Sequence, residues 1–212
     1  MEYKNNFISF EGIDGSGKST IVSLLVERME EKGVKIYKTR DPIRDKNPWY
    51  ELYDLFEHSQ RVDKFSEALL LLSSRVDNVN RFIKPELNKG SIIIADRFSD
   101  SWFAYQSLRL EKFFGSSKKS LDYLIDLHNS LIEEGVLINP DKTFLFKINP
   151  EIAFERIKRK SKISKYEKLN FLKKVLEQYE IISDRFNERI DLIDTEGKSI
   201  EEVYETVFSK IN

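Results

Sequence analysis

The chain has 212 residues, 40% of them hydrophobic, with 35 basic against 36 acidic side chains and no cysteine. That length suits one domain with small insertions. The charge balance gives no whole-chain polarity that would call for nucleic acid or an anionic membrane as a partner, and the lack of cysteine excludes disulfides and thiolate metal sites. The opening MEYKNNFISF lacks the basic and long apolar regions of a signal peptide, and apolar runs such as Ala68 to Leu72 are far too short for a bilayer. A soluble cytoplasmic protein is expected.

In chain order, the first element is a short apolar strand, Phe7 to Glu11. It runs into Gly12-Ile13-Asp14-Gly15-Ser16-Gly17-Lys18-Ser19-Thr20, which satisfies G-x-x-x-x-G-K-S/T at every fixed position. Glycines allow consecutive backbone N–H groups to surround phosphate oxygens. Lys18 is placed for the β- and γ-phosphates, and the Ser19 hydroxyl for Mg²⁺. Ile21, Leu24, Leu25 and Met29 then recur at helical spacing, so the loop opens a helix whose dipole favours an anion.

Further strands are predicted at Val34–Thr39, Ser91–Ala95, Thr143–Ile148 and Ile190–Asp194, with helical patterns between them. Short apolar, β-branched runs suit strands buried on both faces of a parallel sheet, and the alternation predicts a three-layer α/β fold. Gly33 and Gly90 stand where helices should stop before strands. Asn149-Pro150-Glu151 reads as a helix start, and Ser199-Ile-Glu-Glu202 as a capping box.

In such sheets ligands gather at the carboxyl ends of strands. Those ends carry Glu11 to Ser19, Thr39-Arg40-Asp41-Pro42, Asp96-Arg97-Phe98 and Asp194-Thr195. Asp96 after an apolar run is suited to hold Mg²⁺ directly or through water, the alternative being a cap for the helix near Ser99. Arg40 and Arg97 beside a phosphate loop fit a bidentate clamp for a second phosphate. A phosphorylated acceptor then implies phosphoryl transfer from ATP.

With these residues in place, the chain resembles the thymidylate kinase family of nucleoside monophosphate kinases from about Phe7 to the C-terminus. Phe10 to Thr20 is similar to the family's FEGxDGxGKST signature and Arg40-Asp41-Pro42 to its REP loop. Asp96-Arg97-Phe98 with Ser101 and Ala104-Tyr105-Gln106 is similar to its DRY…S..AYQ segment, and Ile83 to Leu87 with Gly90 to IKPAL…G. The resemblance implies a five-stranded parallel P-loop kinase domain over 1–212, a homodimer, and ATP and dTMP as substrates with Mg²⁺. It implies that Asp14 lies near the acceptor's sugar and phosphate, that Arg40 and Arg97 hold that phosphate, and that Arg75 bonds the thymine edge. Tyr105 would crowd the 2′ position, with Ser101 and Gln106 close to the base. Leu71 stands where the family carries an aromatic that stacks on thymine. From its own helix face alone, Arg75 reads as a rim salt bridge beside an apolar stripe, and Trp102, Phe103 and Tyr105 as core aromatics.

A basic run from Arg156 to Glu167 follows the fourth strand. By composition it is a solvated helix face or loop; by resemblance it is the LID, about residues 156–168, which closes over ATP. In one branch of the family the phosphate loop carries a basic residue; here that position is Gly15, so the LID is expected to supply the cation, with Arg156 and Arg159 as candidates. The loop after Pro42 lacks the family's Gly-Gly-Thr. Two rivals remain open: a P-loop kinase for a different or less selective nucleoside monophosphate, and a P-loop switch ATPase that acts by binding a partner.

Overall fold

A computed structural model describes residues 5–43, 48–49, 51–52, 62–158 and 169–211. Arg159 and the remainder of the expected LID, and positions 44–47 of the loop after Pro42, lie outside the described residues. Five strands form one all-parallel sheet: β1 (Phe7–Glu11), β2 (Ile36–Arg40), β3 (Ile92–Asp96), β4 (Lys142–Lys147) and β5 (Ile190–Asp194), in the order β2-β3-β1-β4-β5. Two predicted strands keep their limits, and the other three shift by one or two residues.

The central strands are apolar on both sides because both sides are covered. Along β1 and β3 neighbouring residues alternate between two cores: Phe7, Ile93 and Ala95 enter one, and Ile8, Phe10, Ile92 and Ile94 the other. The second core is closed by α1 (Lys18–Glu31) and by the C-terminal helix over Ile200–Phe208, which opens on the expected Ser199/Glu202 capping box. The larger core is covered by α2 (Lys64–Asn78), α4 (Ser99–Arg109), α6 (Ser117–Glu133), α7 (Pro150–Lys158) and α8 (Leu169–Arg185). A π-helical turn at Val79–Ile83 joins α2 to the short α3 (Lys84–Asn88), and α5 (Glu111–Phe114) links α4 to α6. The C-terminal helix is α9. Asn149 caps α7 as expected, its Oδ1 accepting from Glu151 N at 2.8 Å.

Strand order decides what meets the phosphate loop. β3 lies beside β1 with Asp96 opposite Phe10, and β2 lies beside β3 with Arg40 opposite Asp96. The ends of β1, β2 and β3 therefore bring Glu11, Arg40, Asp96 and Arg97 to one edge, next to the loop that leaves β1. No helix among the described residues is long and apolar enough to cross a membrane.

Candidate active site

The loop from Gly12 to Gly17 is folded tightly against its surroundings. A Cβ at Gly12 would stand 2.6 Å from the Phe146 carbonyl oxygen, and one at Gly15 would stand 2.4 Å from the Ala153 carbonyl oxygen. Both residues also have positive φ, so the backbone course requires glycine twice over. Thr195, at the end of β5, donates from Oγ1 to Ser16 O at 3.3 Å and ties the loop to the fifth strand. Lys18 begins α1 and is buried; its Nζ donates to Ile13 O at 3.0 Å. Burial, with Arg97 close by, lowers the Lys18 ammonium pKa to about 8.

Ser19 and Asp96 meet directly, the hydroxyl donating to Oδ2 at 2.7 Å. Arg40 Nη1 lies 3.5 Å from the same oxygen. Burial works against ionisation of Asp96, but Lys18, Arg40 and Arg97 together outweigh it and hold the carboxyl below its usual range. The other oxygen, Oδ1, is buried with no hydrogen-bond partner among the described residues. Asp96 therefore faces the loop and does not cap α4. The Ser19 hydroxyl and a carboxylate with an unmet acceptor are hard oxygen donors of the kind that would suit a divalent cation. No group of three or more His, Cys or acidic side chains offers a self-contained metal cage among the described residues.

Arg97 leaves β3 with φ 75, the one non-glycine positive φ among the described residues. Its Nη2 donates to Asp14 Oδ1 at 2.7 Å, and its Nη1 to Ser101 Oγ at 3.0 Å and Tyr179 Oη at 3.2 Å. Burial opposes ionisation of Asp14, yet Arg97 and Lys18 keep it strongly acidic. The Arg97 guanidinium also lies 5.3 Å from the Tyr105 ring centre. Ser101 is more engaged than the sequence alone suggests: it bonds Glu11 Oε2, and lies 2.8 Å from Tyr179 Oη.

Arg75 is not on a rim. It is 1% exposed, donates from Nε to Asp41 Oδ2 at 2.6 Å, and lies 5.3 Å and 5.0 Å from the rings of Phe98 and Trp102. Its Nη1 has no partner among the described residues, and neither has Gln106 Oε1; Leu71, four residues before Arg75 on α2, is buried. Two buried polar atoms left unmet are costly unless a ligand satisfies them. Trp102 and Phe103 are core residues, as their type alone suggests. Sequence reasoning gave no role to Asp41 or Tyr179. Asp41 was visible within Arg40-Asp41-Pro42, but its partner stands 34 positions away.

Arg156, on α7, reaches across to the loop and donates from Nη1 to Gly15 O at 3.2 Å. The guanidinium thus arrives at the loop position that could not itself carry a side chain.

A glycine-rich anion loop, a lysine and serine at the mouth of α1, and arginines converging from two neighbouring strand ends define a P-loop kinase. A family model described as thymidylate kinase matches residues 10–207. The chain belongs to the thymidylate kinase family. It is 36% identical to a probable thymidylate kinase of Methanosarcina barkeri, over 98% of this chain and 96% of the relative. It is 35% identical to a thymidylate kinase of Exiguobacterium sp., covering 95% and 91%, and 31% identical to one of Rickettsia typhi, covering 96% of each.

Proposed function

We propose that this protein transfers the γ-phosphoryl group of ATP to dTMP, giving ADP and dTDP. The observation that carries the reading is the placement of Arg40 and Arg97 beside the phosphate loop, Arg40 closing β2 and Arg97 immediately following β3, the two strands next in line from β1. A nucleotide hydrolase needs one phosphate cradle; this edge has a cradle and a second cluster of guanidinium groups facing it.

In this reading the amides of Gly12 to Thr20 and the Lys18 ammonium hold the phosphates of ATP. Arg40 and Arg97 hold the phosphate of dTMP, with Asp14 positioned by Arg97 near the acceptor's sugar. Ser19 and Asp96 would hold Mg²⁺, which when bound neutralises charge on the β- and γ-phosphate oxygens. Arg156, with Arg159, would add positive charge from the LID side. Phosphoryl transfer has a loose transition state with charge spread over the moving group, so catalysis here is positioning and electrostatics. Arg75 and Gln106, with polar atoms unmet, read the base, Leu71 packs on it, and Tyr105 limits space near the 2′ carbon. The reading extends to a single domain, a homodimer and a cytoplasmic location, which rest on the family resemblance and the composition of the chain.

The test is ADP release from ATP and Mg²⁺ with dTMP, dUMP, UMP, dCMP, dGMP, thymidine or no acceptor. Turnover that requires dTMP is expected. ADP release independent of any acceptor would overturn the reading.

A further inference from the structure

Glu11 precedes the G-x-x-x-x-G-K-S/T loop, as the acid of the FEGxDGxGKST signature, and is fully buried at the end of β1. Its surroundings are specific. Oε1 accepts from Phe98 N at 2.8 Å, the amide that follows Arg97. Oε2 accepts from the Ser101 hydroxyl, and Tyr179 Oη lies 3.5 Å away. Ser101 Oγ and Tyr179 Oη are the two atoms that receive Arg97 Nη1. One carboxylate therefore grips Arg97 from both ends: its backbone through the next amide, and its guanidinium through two hydroxyls.

The backbone grip answers a need. Arg97 N still donates to Phe10 O at 3.0 Å, continuing the sheet ladder, and the chain then turns out of the sheet at φ 75. A left-handed non-glycine residue persists where its surroundings over-determine it. The Phe98 amide, released from the ladder by that turn, is met by Glu11. A fully buried carboxylate is also costly to ionise, and Asp100, which Arg189 pairs through two 2.7 Å contacts, adds like charge. A buried acid in that setting is a poor choice for stability alone.

We propose that Glu11 is a positioning residue for phosphoryl transfer, fixing the Arg97 guanidinium through Phe98 N, Ser101 and Tyr179. This rests on the reading of Arg97 as the arginine of the acceptor phosphate. Ser101 and Tyr179 are the relay, so the polar end of Tyr179 couples α8, the helix after the LID, to the same guanidinium.

The experiment compares wild type with Glu11→Gln, Ser101→Ala, Arg97→Lys and the double variant Glu11→Gln/Arg97→Lys. A misplaced guanidinium should raise KM for dTMP about tenfold in Glu11→Gln, because small errors of position are expensive in a preorganised site, while KM for ATP stays within about twofold. Adding Glu11→Gln to Arg97→Lys should cost little more, since both changes act on one unit. Equal changes in both KM values, or additive losses in the double variant, would overturn the proposal. A second readout needs no substrate: ¹⁵N spectra of the Arg97 guanidinium should show slow rotation of its Nη groups in wild type and averaged signals in Glu11→Gln. Unchanged rotation overturns the proposal even if dTMP proves not to be the acceptor, whereas changed rotation without dTMP turnover would fault only the assigned reaction. If Glu11→Gln fails to fold, Ser101→Ala cuts the same relay and is held to the same outcomes.

Discussion

Arg75 and Asp41 are joined at 2.6 Å with both side chains almost out of solvent, and that pair fixes where the α2 arginine can point. Burial pushes the Asp41 carboxyl up, against the pull of Arg75. Such pairs contribute little net stability, but breaking one strands a buried charge. Asp41→Ala should destabilise the protein by about 3–5 kcal/mol, measured by chemical denaturation, and should raise KM for dTMP. Replacing both partners, Asp41→Ala with Arg75→Met, should restore most of the stability and none of the dTMP affinity. A double variant as unstable as the single would show that the pair is not the cause.

The Gly15 carbonyl and the Arg156 guanidinium meet at 3.2 Å, at a loop position whose backbone excludes a side chain. Substituting Gly15 with Ala should cost about 2–5 kcal/mol, from the left-handed backbone and the collision with Ala153 O. Gly15→Arg should suffer the same loss and so should not substitute for the LID cation, and kcat should fall. Arg156→Ala should leave Tm nearly unchanged while lowering kcat/KM for ATP. A stable, active Gly15→Arg would refute the steric account.

Asp96 should govern the metal requirement. Asp96→Asn keeps the shape but removes the charge and one strong acceptor, so the Mg²⁺ concentration for half-maximal activity should rise about tenfold or more. Removal of Mg²⁺ with EDTA should abolish turnover in both proteins. An unshifted Mg²⁺ titration in Asp96→Asn would place the metal elsewhere.

Two buried groups should tilt stability against pH in opposite senses. Burial lowers the His128 imidazole pKa from 6.5 to about 4, with the Arg75 charge adding to the effect and Asn139 and Asp100 opposing it. Its folded value is depressed, so its contribution is present above pH 6.5 and is lost as pH falls towards 4. Burial pushes Glu11 from 4.5 up to about 7, with Asp100 reinforcing it, and Ser101, Arg97 and Phe98 N opposing. Its folded value is raised, so its contribution is present below pH 4.5 and is lost as pH rises through 7. Denaturation series should therefore show Glu11→Gln gaining on wild type from pH 4.5 to 7, and His128→Leu losing on wild type from pH 4 to 6.5. Parallel curves would mean that neither group titrates as its surroundings dictate.

Much of this arrangement was legible in the sequence wherever the cause is local. The phosphate loop is one contiguous segment, and the core strands announce themselves because burial on both faces leaves no polar alternation. The capping box at Ser199 and Glu202 spans four residues and was readable for the same reason. Arg75 was not legible from its own helix: spacing placed it beside an apolar stripe, and only the fold brings Asp41, Phe98 and Trp102 around it. The relay joins Glu11 to partners 87 to 168 positions away, so no window of sequence contains it. Only the family resemblance marked Ser101, and it pointed to the base, whereas the described contacts of that hydroxyl lie on the Arg97 side.

The parked position of Lys18 has a calorimetric consequence. With Nζ resting on the Ile13 carbonyl and its pKa near 8, part of the population carries a neutral amine at mildly alkaline pH. A triphosphate drawing that nitrogen away would restore its charge, so association should take a proton from the medium. At pH 8 the heat of ATP binding should then vary with the ionisation enthalpy of the buffer, and near pH 6 that dependence on Lys18 should vanish. The phosphate loop would thus be a site that takes up a proton together with its anion.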